Sequence, residues 1–122
     1  MANDFKRFAK PDVGTGTGAS ADAVYSVPAG AGSTALESII IGINVCNKTT
    51  TERTASIFLD NEDGSNDVYI VKEVTVPAGS SLEVMSGNKI VVQNDGSNAD
   101  VLRVSCSAGS SLDALITVLE DV

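Results

Sequence analysis

The sequence contains no histidine and no tryptophan, and its only aromatic residues are three Phe and two Tyr. The absence of histidine removes the most frequent general base and metal ligand, and with it every Ser-His or Cys-His pair. So few aromatic side chains offer little surface for stacking a sugar ring, which argues against a glycosidase or a carbohydrate-binding module. The composition therefore predicts a protein that is not an enzyme and has neither a cofactor nor a metal site.

Basic residues are also scarce. The chain has eight Lys and Arg and sixteen Asp and Glu, which gives a net charge of −8. This sign of charge opposes binding to nucleic-acid phosphates and to anionic lipid. The longest aliphatic run, Ile39–Ile41, is far shorter than the roughly 20 residues that cross a bilayer. We therefore expect neither nucleic acid nor a membrane among the partners.

Two cysteines and the first residues of the chain bear on the cellular compartment. Residues 1–10 are followed by Gly, Thr and Asp where a secretory signal needs an apolar segment, so we expect no export. Cys46 and Cys106 lie far apart in apolar alternating segments, without a C-x-x-C pair. Two reduced core thiols are the favoured interpretation, and a disulfide or a metal pair is the alternative.

Aliphatic side chains and turn residues dominate what is present, and apolar residues make up 43% of the chain. Short β-rich runs alternate with clusters of Gly, Ser, Asn, Asp and Pro about every ten residues. This pattern predicts one all-β domain, an antiparallel β-sandwich of jelly-roll or Ig-like type. Eight strands are predicted: Ala23–Val27, Leu36–Asn47, Arg53–Asp60, Val68–Val76, Ser81–Met85, Lys89–Gln93, Val101–Ser107 and Leu112–Glu120.

Alternation within the strands predicts which side chains enter the core. Three strands give inward sets: Ile39, Ile41, Ile43 and Val45; Ala55, Ile57 and Leu59; and Leu102, Val104 and Cys106. Ile40, Gly42, Asn44 and Cys46 are expected on the opposite face of the first of these strands, and Phe58 on the opposite face of the second.

The last predicted strand has bulky aliphatic residues on both faces. Ala114, Ile116 and Val118 form one face, whereas Leu115 and Leu119 lie on the other. Either the strand is central and its outer face is covered by an arm or a loop, or that face meets another subunit. Leu115 and Leu119 are therefore candidate interface residues.

Residues 1–22 differ from the β-rich body at 23–122 and predict an extended N-terminal arm. Residues 1–10 carry three basic groups and one acidic group, a charge of +2, whereas residues 11–122 carry five and fifteen, a charge of −10. Phe5, Arg7 and Phe8 lie in a segment too polar to form its own core, so we predict that they anchor the arm in a partner. The alternatives are that the segment is a frayed terminus, or that these residues fold back onto their own sandwich. We expect that deleting residues 1–12 leaves the melting temperature within a few degrees but abolishes association with the partner.

Two loops match ligand-binding patterns only loosely. Gly14-x-Gly16-x-x-Ala19 has the glycine spacing of a dinucleotide fingerprint, but no strand precedes it and no helix follows it. The acidic run from Asp60 to Asp67 has enough oxygen ligands for calcium, although its spacing is not that of an EF-hand. A solvated hairpin loop is the favoured interpretation of the acidic run.

Several segments together resemble small virion structural proteins of tailed bacteriophages, notably contractile-tailed phages of marine cyanobacteria. They are Met1–Phe8, Val24–Pro28, Ser38–Asn47, Tyr69–Lys72, Val76–Val84 and Ala114–Glu120. In that group the second strand continues Gly-Leu-Asn-Leu/Val-Ala-Asn, whereas Ile43 and Cys46 stand here. The resemblance implies a non-enzymatic β-sandwich located in the virion and made in the cytoplasm of the host bacterium. It assigns no functional residue.

Three functional hypotheses follow. The first is a capsid decoration, or cement, protein that binds and stabilises the assembled shell, and the second is a neck, tail or baseplate component of the same virion. Their partners would be the major capsid protein or other virion subunits, with a homo-oligomer as a further option. The third is a small adhesion or glycan-binding β module.

Overall fold

The fold is known from a computed structural model that describes residues 3–16, 20–32, 34–60, 67–85 and 89–121. The described part of the chain forms nine strands in two antiparallel sheets, so the prediction of an all-β sandwich is confirmed. The strands are β1 (Asn3–Lys10), β2 (Asp22–Ser26), β3 (Leu36–Asn47), β4 (Arg53–Asp60), β5 (Asp67–Val76), β6 (Ser81–Glu83), β7 (Ile90–Asn94), β8 (Val101–Cys106) and β9 (Leu112–Asp121).

The two sheets, here named sheet A and sheet B, enclose one aliphatic core. Sheet A has the order β1-β9-β3, and both β6 and β7 pair with β3 at different positions along it. Sheet B has the order β2-β8-β4-β5. Buried side chains from both sheets meet between them, among them Ile40, Ile43, Ile57, Val104 and Ile116. Each sheet therefore has one inner face and one outer face.

The first strand was not among the eight predicted, and this is the main correction to the strand assignment. β1 pairs with β9 over its whole length, from Asn3 opposite Asp121 to Lys10 opposite Ala114. The chain beyond β1 is also fastened to the body, because the fully buried Val13 donates its N–H to the Leu112 carbonyl at 2.9 Å. Residues 3–13 therefore form part of the sandwich. The physical reason is that β9 offers a free edge of ten residues to which an extended segment can hydrogen-bond.

The position of β9 resolves half of the question raised by its two apolar faces. The strand is central in sheet A, between β1 and β3, as the first alternative required. The N-terminal segment pairs with the edge of β9 and does not cover its outer face, where Leu115 remains 42% exposed. The outer face of sheet A is therefore open at this point.

A β-bulge in β3 changes which of its residues face the core. The pairing with β9 shifts between Ile40 and Gly42, so Ile41 is an extra residue at the bulge. Ile43 and Val45 are buried as predicted, but before the bulge Ile40 enters the core. The expectation that Ile39 and Ile41 are core residues is therefore wrong, because one inserted residue reverses the alternation.

Alternation in β4 and β8 agrees with the prediction with one refinement. Ala55 and Ile57 are core residues and Leu59 packs at the core edge, and all three inward residues of β8 are buried. Phe58 lies on the opposite face, as predicted, yet it is also fully buried. The ring of Tyr69 on the neighbouring strand covers it, with 5.1 Å between ring centroids.

The two thiols lie in different sheets and are both free. Cys106 is buried in the core, whereas Cys46 is only half-buried. We expect that a maleimide reagent modifies Cys46 in the native protein and modifies Cys106 only after unfolding, because thiolate reactivity requires access. Mass spectrometry of the labelled protein checks this, and modification of both thiols at the same rate in the native state would contradict the assignment.

A buried polar network joins the two sheets near the start of β3. The hydroxyl of Tyr25 on β2 donates to Glu120 Oε2 at 2.5 Å and lies 2.9 Å from Ser38 Oγ. Glu120 is 2% exposed, and Lys6 Nζ on β1 lies 2.9 Å from its Oε1. A buried carboxylate requires such partners, since desolvation alone penalises its charged form. The network therefore ties β1 and β2 to β9 and β3.

Candidate interaction surface

An apolar row crosses the outer face of sheet A on four adjacent strands. Phe5 of β1 is directly opposite Leu119 of β9, and Leu119 is opposite Ile39 of β3. Ile39 is in turn opposite Val91 of β7. Because residues in direct register project from the same face of a sheet, the four side chains form a continuous row. We call this set the apolar row.

The apolar row is accessible to a partner. Phe5 is 75% exposed and Val91 is 59% exposed, whereas Leu119 and Ile39 in the middle of the row are half-buried. With neighbouring strands spaced at about 4.8 Å, the row extends over about 14 Å. An exposed apolar surface of this kind, carried on a rigid sheet, is typical of a protein-binding site.

A second apolar region lies further along the same face. Leu115 is flanked in register by Ala9 of β1 and Asn44 of β3, and a depression of about 460 Å³ lies between these residues and Cys46. Gly42, also on β3, has open space where a side chain would project. The outer face of sheet A therefore offers a protruding row beside a shallow hollow.

Charged residues of both signs lie on this face, including Glu83 of β6 opposite Asn44 and Asp113 of β9 opposite Cys46. Arg7 of β1 is exposed and stands opposite Thr117, between the apolar row and Leu115. Glu37 of β3 is exposed on the side of the row away from Arg7. A guanidinium next to apolar side chains is suited to pair with a carboxylate of a partner as the surface is dehydrated.

Four of the five predicted site residues meet on this one surface. Phe5, Arg7, Leu115 and Leu119 all project from the outer face of sheet A, although they come from opposite ends of the chain. Phe8 does not join them, because it is opposite Ile116 on the inner face and its ring lies 4.8 Å from that of Tyr25. For Phe8 the structure shows the alternative that was stated, in which the residue folds back onto its own sandwich.

Sequence reasoning missed Ile39 and Val91 as members of the surface. Alternation placed Ile39 in the core, because the bulge after Ile40 is not visible in the sequence. Val91 lies in a run of apolar residues, Ile90–Val92, whose facing is ambiguous from the sequence alone. The pairing of β7 with β3 is the information that places both residues.

An ion cluster fixes the chain between β1 and β2 beside this surface. Lys48 contacts Asp12, and its Nζ lies 2.9 Å from Asp113 Oδ1 on β9. Hydrogen bonds to Asp12 and then to Asp113 raise the pKa of Lys48. The bond from Lys48, followed by one from the Asp12 N–H, lowers the pKa of Asp113. Because Lys48 is paired with both carboxylates, we interpret the cluster as structural: it holds the chain after β1 against β9.

Other sites considered in the sequence have no counterpart in the described residues or fall outside them. Within the described ranges, no group of three or more acidic or thiol side chains is placed to hold a metal ion. The loop between Asp60 and Asp67, with its calcium alternative, spans residues 61–66 and lies outside the described residues. So does Ala19 of the glycine motif. The described part of the chain contains no helix that is long and apolar enough to cross a membrane.

Comparison with known proteins adds no identification. The sequence matches no protein-family model, and it matches no curated protein. The outer face of sheet A and the resemblance of the sequence to virion proteins are therefore the two observations that bear on function.

Proposed function

We propose that the protein is a non-enzymatic structural protein of a phage virion, a capsid decoration protein that binds the assembled shell through the outer face of sheet A. The observation that carries the proposal is the apolar row, in which Phe5, Leu119, Ile39 and Val91 are aligned in register on four strands. The major capsid protein is the partner, and the resemblance to virion proteins supplies this part of the proposal.

The architecture suits a protein whose work is adhesion. The row and the hollow beside Leu115 lie on a hydrogen-bonded sheet, so little conformational entropy is lost when they dock. The net charge of −8 keeps the free protein soluble despite its exposed apolar side chains. Many copies, each held by a modest interface, would stiffen a shell because repeated contacts sum.

The substitution Val91→Glu tests the surface. Val91 is 59% exposed, so a carboxylate here is solvated in the free protein but would be dehydrated and unpaired in a complex. We expect a loss of shell affinity of at least about 2 kcal/mol, or roughly thirtyfold, with free-protein stability changed by less than about 0.5 kcal/mol. Co-sedimentation of the purified protein with shells stripped of it measures the affinity.

The matched control is Val68→Glu. Val68 is 52% exposed, but it lies on β5, in the other sheet. We expect normal shell binding by this variant. Equal loss of binding in both variants, or none in either, would refute the assignment of the surface to sheet A.

The alternative is that the protein is a component of the neck, tail or baseplate and uses the same surface there, since an apolar sheet face can bind any partner with a flat apolar surface. Quantitative mass spectrometry of purified particles separates the two placements. A copy number comparable to that of the major capsid protein supports the shell, whereas the copy number of a single ring moves the protein to the neck, tail or baseplate.

A further inference from the structure

A second concave site lies on the opposite side of the molecule, on the outer face of sheet B. This groove has a volume of about 330 Å³ and is lined by side chains of β4, β5 and the end of β8. Its volume lies at the lower end of the range for small-molecule sites, about 300–1,000 Å³. The groove plays no part in the proposed shell contact.

A β-bulge aims two charged residues at the same groove. Between the pairs Ala55–Val74 and Ile57–Val71, the single residue Ser56 of β4 faces both Lys72 and Glu73 of β5. Glu73 has a φ of 49°, in the left-handed region that residues with a side chain rarely adopt. Neighbouring residues of a regular strand point to opposite faces, whereas here both Lys72 and Glu73 line the groove. The bulge therefore places a cation beside an anion.

Two serine hydroxyl groups of the groove accept hydrogen bonds from the backbone and can each donate one to a ligand. Ser56 Oγ accepts a hydrogen bond from the Glu73 N–H at 2.9 Å, and Ser107 Oγ accepts one from the Thr54 N–H at 3.0 Å. Each hydroxyl keeps its own proton, and no acceptor for it is found among the described residues. Ser56 and Ser107 are thus held by the backbone with their O–H groups available to a ligand.

The charges of the groove select against ionic ligands. Within the described residues neither Lys72 nor Glu73 takes part in a salt bridge. An anion that approaches Lys72 meets the carboxylate of Glu73 and the net charge of −8, and a cation that approaches Glu73 meets Lys72. The lining therefore suits a neutral ligand that both donates and accepts hydrogen bonds.

One wall of the groove is aromatic. The rings of Phe58 and Tyr69 pack in a tilted arrangement with 5.1 Å between centroids, and the Lys72 ammonium lies 5.1 Å from the Tyr69 centroid. Tyr69 is the exposed ring of this pair, and Phe58 lies buried beneath it. The site therefore has an aromatic surface for a sugar ring, although the scarcity of aromatic residues in the whole chain argued against carbohydrate binding.

We infer that this groove binds the ring of a neutral saccharide. Each sugar hydroxyl is both a donor and an acceptor, so neighbouring hydroxyls satisfy Glu73 on one side and Lys72, Ser56 and Ser107 on the other. The C–H groups of the ring pack on the exposed ring of Tyr69, which the buried ring of Phe58 supports from within the protein. Because sheets A and B face opposite directions, the saccharide and the shell can be bound at the same time.

The test is a titration of the full-length, isotopically labelled protein followed by ¹⁵N–¹H NMR. The probes are the methyl glycosides of glucose, mannose and galactose, and N-acetylglucosamine, each added separately. We expect at least one probe to shift the amide signals of Ser56, Glu73 and Ser107 with a dissociation constant in the millimolar range. Glu73→Gln and Lys72→Met should each weaken binding about tenfold, since each removes one charged hydrogen-bonding partner.

The control variant is Glu37→Gln, which removes an exposed carboxylate from the outer face of sheet A and should bind the probes normally. Three results would overturn the inference: no probe shifts the groove signals, the shifts map to sheet A, or glycine and inorganic phosphate bind the groove as well as the sugars do. None of these results bears on shell binding, which Val91→Glu tests separately.

Discussion

Deletion of residues 1–12 is expected to unfold the protein or drive it into aggregates. The deletion removes β1 from the edge of β9, takes the Phe8 ring away from Tyr25 and leaves the buried Glu120 without Lys6. The lost packing and the unpaired charge together cost on the order of 5 kcal/mol or more, against about 5–15 kcal/mol for a whole domain. Urea denaturation followed by circular dichroism measures the loss.

This expectation replaces the one drawn from the sequence alone, in which a separate arm can be removed with little effect on the melting temperature. Phe5→Ser is the matched control on the same strand, because Phe5 is 75% exposed and its loss should change stability by less than about 0.5 kcal/mol. A truncated protein that melts within a few degrees of the full chain would show that β1 contributes little to the fold.

Tyr25→Phe is expected to cost about 1–3 kcal/mol of stability at neutral pH, because it keeps the ring but leaves Glu120 without its donor at 2.5 Å. Equilibrium unfolding in urea measures this cost. Tyr69→Phe is the control, since its side chain lies partly in solvent on sheet B. Equal stabilities of the two variants would contradict the role assigned to the buried hydroxyl.

The cost of Tyr25→Phe should depend on pH in a defined direction. Burial by itself raises the pKa of Glu120, but the hydrogen bonds from Tyr25 and Lys6 outweigh it, so the pKa lies below its usual value. A carboxyl with a depressed pKa stabilises the fold above its unfolded pKa of about 4.3 and loses this contribution as pH falls through the folded value. Removing the hydroxyl removes the principal group that lowers the pKa.

The difference in unfolding free energy between the wild type and Tyr25→Phe should therefore be largest above about pH 5 and shrink below about pH 4. Urea titrations at a series of pH values measure this difference. The contributions of the other carboxyl groups to the unfolding free energy are the same in both proteins and cancel. A difference that is constant, or that grows on acidification, would mean that Tyr25 does not stabilise the ionised form of Glu120.

The fold class and most of the strands are encoded locally. Alternation in β8 and the turn residues between strands predicted a β-sandwich. In such a strand, apolar residues on the buried face alternate along the sequence with residues on the other face. The apolar Leu115 and Leu119 likewise predicted that the outer face of the last strand is either covered or in contact with another subunit. These features require no knowledge of distant contacts.

Long-range pairing decided the rest. Whether residues 3–10 form an arm or a strand depends on the free edge of β9, more than a hundred residues away in the sequence. Whether Ile39 faces the core depends on a bulge that is visible only against β9. The position of Glu73 beside Lys72 depends on a second bulge against β4.

The sequence by itself determined that the chain forms an aliphatic β-sandwich of high negative charge, because composition and alternation are properties of each segment. Only the tertiary structure decided that Phe5, Leu119, Ile39 and Val91 lie in one row, since register is a relation between strands and one inserted residue reverses every side chain beyond it.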